Sequence, residues 1–295
     1  MKAKFPAENL LGVHADISPS AEHQKLVDAD FQSHAARWRE IYEEASVEGT
    51  IYRERLADVL TWVDELAMPL GERILEIGCG AGMTVVPLAQ RGYLVEAVDS
   101  VEDMLNSTRQ YAVGAGVGSS VFTSLGDAHS LTFPESAFGL VLAIGLIPYL
   151  HSPMKALGEM ARVLKPGGFL LVTVGNRLRL NHVLDPWLCP ALQPAKRAVQ
   201  AILRRSPRHR SEPTRSPLRL DSLRELEGWL SSVGLPKVKA QTVGFQPLTF
   251  HCRPVFRERT SIRLNRWLQW LADHNVPIIR SSGMDYIVLA RKKDR

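Results

Sequence analysis

The residues best equipped for chemistry are Leu75-Glu76-Ile77-Gly78-Cys79-Gly80-Ala81-Gly82. Glycines at alternate positions leave bare backbone for a ligand to press against, and a helix starting just beyond them presents unpaired N–H groups to acceptor or anionic atoms. A strand-like run leads into the glycines and a helical stretch leaves them, so the turn belongs at a sheet edge where a small polar ligand is expected. Nicotinamide enzymes use a similar turn, and spacing separates the two cases. Their Gly-x-Gly-x-x-Gly pattern needs its third glycine at position 83 or 85, and those residues are Met83 and Val85. Asp99 ends the next strand-like run, where its carboxylate can accept hydrogen bonds from both hydroxyls of a ribose. Its other reading is a cap for the helix that begins near Val101. Cys79, small and flanked by glycines, reads as a packing residue.

Further segments follow in order: Gly126-Asp127-Ala128 after a third run, Phe138-Gly-Leu-Val-Leu-Ala-Ile144-Gly-Leu146 as a fourth, and Arg162-Val-Leu-Lys-Pro-Gly-Gly168 before a fifth. With Glu-Ile-Gly-x-Gly-x-Gly, this set resembles the class I, Rossmann-like S-adenosylmethionine-dependent methyltransferases, in particular the small-molecule group related to ubiquinone and menaquinone biosynthesis. The likeness runs strongly from about Leu66 to Val174, and only in outline at the two ends.

The resemblance implies S-adenosyl-L-methionine as cofactor and S-adenosyl-L-homocysteine as its product. It places Glu76, Gly78, Cys79, Gly80 and Gly82 around the methionine end, with Glu76 reaching the amino group. Asp99 and Ser100 fall beside the ribose, Asp127 and Ala128 beside the adenine edge, Met104 against a ring face, and Ile144 at the end of the strand that delivers the methyl group. Many relatives carry a histidine pair after that strand. Here the stretch is Leu146-Ile-Pro-Tyr149-Leu-His151, which leaves Tyr149 and His151 as candidates to contact the acceptor or take its proton, or alternatively to pack and cap. Phe31, Trp38, Tyr42 and Tyr52 are candidates to close over a sulfonium, whose charge favours a ring face, or to serve as plain core.

Positioning these residues calls for an α/β fold. Runs at Arg73 to Ile77, Leu94 to Val98, Ser120 to Ser124, Gly139 to Ile144 and Phe169 to Val174 alternate with helix-length intervals, the pattern of a doubly wound, mostly parallel sheet buried on both faces. Two further runs, Val238 to Val243 and Tyr286 to Ala290, complete seven strands. Four parts are expected: a helical N-terminal cap (1–66), the cofactor-binding core (67–176), a basic insertion or lid after the fifth strand (177–220), and a C-terminal part that finishes the sheet around an inserted Trp-rich helix (221–295).

Bulk properties narrow the class. The chain has 295 residues, 45% of them hydrophobic, enough for a packed core. The longest apolar run, Phe138 to Leu150, falls short of the ~20 residues that cross a bilayer. The N-terminus lacks the apolar segment of a secretory signal, so a cytoplasmic protein is expected. Cys79, Cys189 and Cys252 are too scattered for a disulfide framework or a zinc site, which suggests free thiols and no metal. The formal charge of +5 is concentrated: ten Arg or Lys lie between Arg177 and Arg219 against Asp185 and Glu212. That insertion, with an amphipathic piece around Ala198, Val199, Ile202 and Leu203, reads as a solvated loop, a peripheral membrane contact, or a site for an anionic acceptor.

The expected activity is methylation of a small molecule, on oxygen before nitrogen or carbon, with a hydrophobic or lipid-linked acceptor as one option. The alternatives are RNA methylation, suggested by the basic insertion, and a non-catalytic scaffold on the same fold. Nucleic acid is the weaker partner, because no separate RNA-binding module is visible and prolines break the basic stretch.

Overall fold

Strand runs and amphipathic stretches resolve, in the computed structural model, into one seven-stranded sheet between helical layers. The structure describes residues 21–192, 194 and 219–294. The amphipathic piece at 198–203 and most of the basic insertion lie outside the described residues. Helices α1 (Ala21–Glu40) and α2 (Val47–Glu65) precede β1 (Arg73–Ile77). Next come α3 (Val85–Gln90), β2 (Leu94–Asp99), α4 (Glu102–Gly114), β3 (Val121–Leu125), β4 (Phe138–Ala143), α5 (Pro153–Val163) and β5 (Leu164–Gly175). The last part holds α6 (Leu180–Leu184), α7 (Leu223–Ser232), β6 (Lys237–Val243), β7 (Thr249–Phe250), β8 (Arg253–Pro254), α8 (Glu258–Asp273) and β9 (Asp285–Arg291).

The strand order is β3-β2-β1-β4-β5-β9-β6, parallel throughout except β9, which runs antiparallel to both neighbours. Order reverses between β1 and β4. The crevice outside the carboxyl ends of these strands is therefore where a ligand is expected. Side-chain alternation along the strands sorts the core. Leu75, Ile77, Val141 and Val172 pack toward α5 and α7, whereas Ile74, Leu142 and Leu171 pack toward α2 and α3. Burial on both faces explains why these strands read as nearly continuous apolar runs.

Two details differ from the sequence reading. Strand β5 starts at Leu164 instead of Phe169, because Leu164 pairs with Phe138 ahead of a register shift, so Lys165-Pro-Gly-Gly168 is drawn into the strand as an irregular entry. The β7/β8 hairpin was not foreseen; each strand contributes two residues, too few for any periodicity.

Candidate functional site: the carboxyl edge of β1, β2 and β4

The glycine turn is closed by the strand beside it. Val98 O accepts hydrogen bonds from Gly78 N (2.7 Å) and Cys79 N (3.1 Å), and Asp99 Oδ2 accepts one from Gly80 N (2.9 Å). Asp99 Oδ1 accepts from Val101 N at 3.0 Å, so one carboxylate both ties the turn and holds the residue that opens α4. Each oxygen keeps capacity for a second donor, so these bonds leave room for the ribose contact expected of Asp99. Burial raises the Asp99 carboxyl above its ordinary range, against the opposing pull of the Gly80 and Val101 N–H groups.

The glycines divide the labour. Gly82 has φ +79°, and a Cβ there would lie 3.2 Å from Thr108 Cα, so its bareness lets α4 approach. Gly80, at φ +52°, faces open space with nothing within 4 Å of where a Cβ would stand, so no packing demand of the fold accounts for its bareness. Gly82→Ala is accordingly expected to lower stability by about 2–4 kcal/mol, from strained backbone plus overlap. Gly80→Ala should lower it by only about 1–2 kcal/mol while weakening cofactor binding. Thermal melts with and without S-adenosylhomocysteine check both.

Glu76 lies on the α2/α3 side of β1 and is 2% exposed. Its Oε2 has no hydrogen-bond partner. Burial pushes the carboxyl up to about 8; the Asp99 charge adds to this, and a hydrogen bond from Thr84 opposes it. A buried acid with an orphaned oxygen beside bare glycines suits a cation, and the ammonium of a methionine moiety has that chemistry. Cys79 is buried, and burial pushes its thiol up, in keeping with packing.

Along the neighbouring edge, Ser100 Oγ donates to Asp28 Oδ1 on α1 at 2.7 Å. Met104 is buried with Val101 beneath Phe31 and Trp38. Asp127 Oδ1 accepts from His129 N (2.9 Å) and pairs with His129 Nδ1 (2.6 Å), while His129 Nε2 accepts from Ser152 N (3.3 Å). Although burial pushes Asp127 upward, these His129 bonds hold it below its ordinary value. Ala128 is buried, and Ile144 is half-buried at the end of β4.

The two candidate catalytic residues part company. His151 stacks on His129 with ring centroids 3.8 Å apart, on the Asp127 side. Tyr149 meets Phe31 edge-on at 4.8 Å, and its titration responds to Arg55 and Asp285. Burial raises the Tyr149 hydroxyl well above its ordinary value despite Arg55, so it stays protonated at neutral pH. Phe31 stacks on Trp38 at 5.3 Å; Tyr52 meets Trp38 at 6.1 Å and Tyr42 at 5.5 Å. The four cap aromatics thus form one cluster beside Tyr149.

Sequence reasoning missed His129, Thr84, Thr108 and a buried charged group made by Arg55 of α2 and Asp285 of β9. Arg55 Nη1 lies 3.3 Å from Asp285 Oδ2. The guanidinium sits over the Tyr52 ring and beside Gly145, just past β4. No local motif announces a pair separated by 230 positions.

Among the described residues no helix is long and apolar enough to cross a membrane. A family profile described as a methyltransferase domain matches residues 75–172. The ubiquinone biosynthesis O-methyltransferase of Pectobacterium carotovorum is 23% identical over 234 residues, 79% of this chain and 90% of that one. The enzyme of the same name from Azoarcus is 28% identical over 118 residues, 40% of this chain and half of that one. Magnesium protoporphyrin IX methyltransferase from Synechocystis, solved with bound S-adenosylhomocysteine, superposes with a TM-score of 0.61 at 15% identity, covering 92% of this chain and all of that one. The sheet order, the glycine turn held by Asp99 and the matched profile agree: residues 75–172 carry a methyltransferase domain, on the fold of the class I S-adenosylmethionine-dependent methyltransferases.

Proposed function

We propose that the protein transfers a methyl group from S-adenosylmethionine to a hydroxyl of a small, hydrophobic, aromatic acceptor. The observation that carries this reading is the packing of Phe31 both on Val101 and Met104, beside Asp99, and against Tyr149, which sets an aromatic cluster between the end of β2 and the turn after β4. The O-methyltransferase activity named for the Pectobacterium relative, aligned over most of its length, supports oxygen as the target.

When bound, the cofactor supplies a methyl group already activated on a sulfonium, so the protein's task is chiefly alignment. Glu76 would hold the amino group, Asp99 and Ser100 the ribose, Asp127 and Ala128 the adenine edge, and Gly78, Cys79, Gly80, Gly82, Met104 and Ile144 would shape the walls. Tyr149 is assigned the acceptor: a protonated phenol donates a hydrogen bond and orients, and is poorly suited to remove a proton. His151, stacked on His129, is assigned to steadying the loop that carries Asp127. The cap at 1–66 acts as a lid over the core at 67–176, and the aromatic cluster beneath it excludes water.

The insertion at 177–220, and its neighbour the β7/β8 hairpin in the part at 221–295, would admit the acceptor. Leu178, Val183, Leu184, Trp187 and Phe250 are exposed large hydrophobics in the described portions of these parts, which favours a peripheral membrane contact. Cys79, Cys189 and Cys252 form no disulfide among the described residues, which favours a cytoplasmic setting.

The test is incubation of the full chain with methyl-labelled S-adenosylmethionine and a panel of alkylated phenols and catechols. Label is expected in a methoxy product, and Tyr149→Phe should lower kcat/KM by about 10- to 100-fold with cofactor affinity unchanged. Label found only in RNA would contradict this reading. Cofactor binding without transfer to any acceptor would favour a scaffold.

A further inference from the structure

The charged group beyond the aromatic cluster holds two cations against one anion. Arg55 and Arg179 are 7% and 9% exposed, and both act on the single carboxylate of Asp285. Asp285 spends its close contact on Arg55. Among the described residues Arg179 is fixed without an ion pair of its own: Nε donates to Asn176 O at 3.2 Å, and Nη1 donates to Gln246 Oε1 at 3.1 Å. Asn176 is in turn clamped to the segment before β9, donating to Ser281 O and Gly283 O at 2.9 and 2.8 Å. Among the described residues Asp285 is the charge that supports the Arg179 cation, and burial pulls that guanidinium below the usual arginine range. Its field is felt next door: burial and Arg179 together drive His182 down to about 3, with Asp185 opposing.

The other titratable groups nearby do not cancel the excess. Tyr42, Tyr52 and Tyr149 surround Arg55, and burial pushes Tyr52 and Tyr149 upward, keeping them neutral. Glu48 lies seven residues before Arg55 on α2, about 10 Å along the helix, and burial together with Glu44 pushes it toward neutrality. Asp30 approaches Tyr149 from α1. An unmatched buried guanidinium is costly unless something neutralises it. This one lines a crevice with Asn181, Gln246, Ser282 and Met284 at the carboxyl edge of β5 and β6, while Arg55 pairs with Asp285 beside Gly145, just past β4.

We propose that Arg55 and Arg179 form the recognition site for a carboxylate on the acceptor, making the substrate an aromatic hydroxy acid in place of a neutral phenol. Charge balance selects the class: two guanidinium groups and Asp285 leave one positive charge, which a monoanion neutralises and a phosphate dianion overshoots. Guanidinium forks also match carboxylate geometry. The proposal rests on the methyltransferase reading above, and cofactor binding separates the two failures.

The experiment compares 4-hydroxybenzoate with phenol by ligand-observed NMR titration of the full chain loaded with S-adenosylhomocysteine. The acid is expected to bind at least about tenfold more tightly, the scale of a charged hydrogen bond. Arg179→Met should abolish that preference and Arg179→Lys restore part of it. Retained S-adenosylhomocysteine affinity shows that each variant is folded. Equal binding of the two probes to the native chain, undetectable binding of the acid, or a preference that survives Arg179→Met overturns the proposal. Loss of S-adenosylhomocysteine binding by the native chain would instead overturn the methyltransferase reading.

Discussion

Replacing Glu76 by glutamine is expected to move two observables in opposite directions. With no cofactor, the variant should be more stable than the native chain at pH 8 and above; with S-adenosylmethionine, it should bind about 10- to 100-fold more weakly. The first effect follows from burial, which pushes Glu76 to about 8 from an ordinary value of 4.5. A folded-state value above the unfolded one makes the folded protein the stronger proton binder. Its contribution to stability is therefore intact below about pH 4.5 and is lost as pH rises through 8. Glutamine, always neutral, escapes that loss. The second effect follows from the partnerless Oε2, which a cofactor ammonium would satisfy as one member of a charged hydrogen bond worth about 1.5–3 kcal/mol. Ionising Glu76 for that contact means that binding near pH 7 releases a proton, so native affinity should climb from pH 6 to 7.5. Urea melts across pH and calorimetry in buffers of different ionisation enthalpy measure the two arms. A glutamine variant with native affinity would remove Glu76 from the site.

Asp99→Ala is expected to weaken cofactor binding by at least about 100-fold and to destabilise the fold as well. The carboxylate already holds Gly80 N and Val101 N, so its removal orphans two backbone donors at about 1–3 kcal/mol each where they are buried. Losing two charge-assisted bonds to ribose hydroxyls accounts for the affinity. Asp99→Asn separates the effects. Its carbonyl oxygen can still accept from one of the two N–H groups, so stability should recover in part, while affinity stays low because the charge is gone. Chemical denaturation and calorimetry on both variants check this. An alanine variant that binds as the native chain does would leave Asp99 only its two backbone contacts.

The placement of Glu76, Asp99 and the glycines was legible in the sequence because it is local. Each stands at the end of a strand whose apolar run announces it, and a turn of a few residues carries its neighbours. The seven strands were legible for the same reason, with bounds within a residue or two except at β5. What escaped is what tertiary folding assembles. Arg55 sits in a cap helix whose sequence gives no sign of a partner, and Asp285 opens the final strand; only the placement of β9 between β5 and β6 brings them together. No motif marks His129, whose ring lies against His151 and is bonded to Asp127. The division between Tyr149 and His151, two residues apart in sequence, arises from the turn at Ile147–Tyr149, which sends one side chain toward Arg55 and the other toward His129.

The central claim is that the crevice between β1 and β4 is built for an adenosyl amino acid. Calorimetric titration of the native full chain with S-adenosylhomocysteine, and separately with NADH, tests it most directly. One molecule of S-adenosylhomocysteine bound per chain, with NADH producing no heat and no competition, is the predicted result. NADH binding that S-adenosylhomocysteine cannot displace, or no binding of S-adenosylhomocysteine at all, would contradict it.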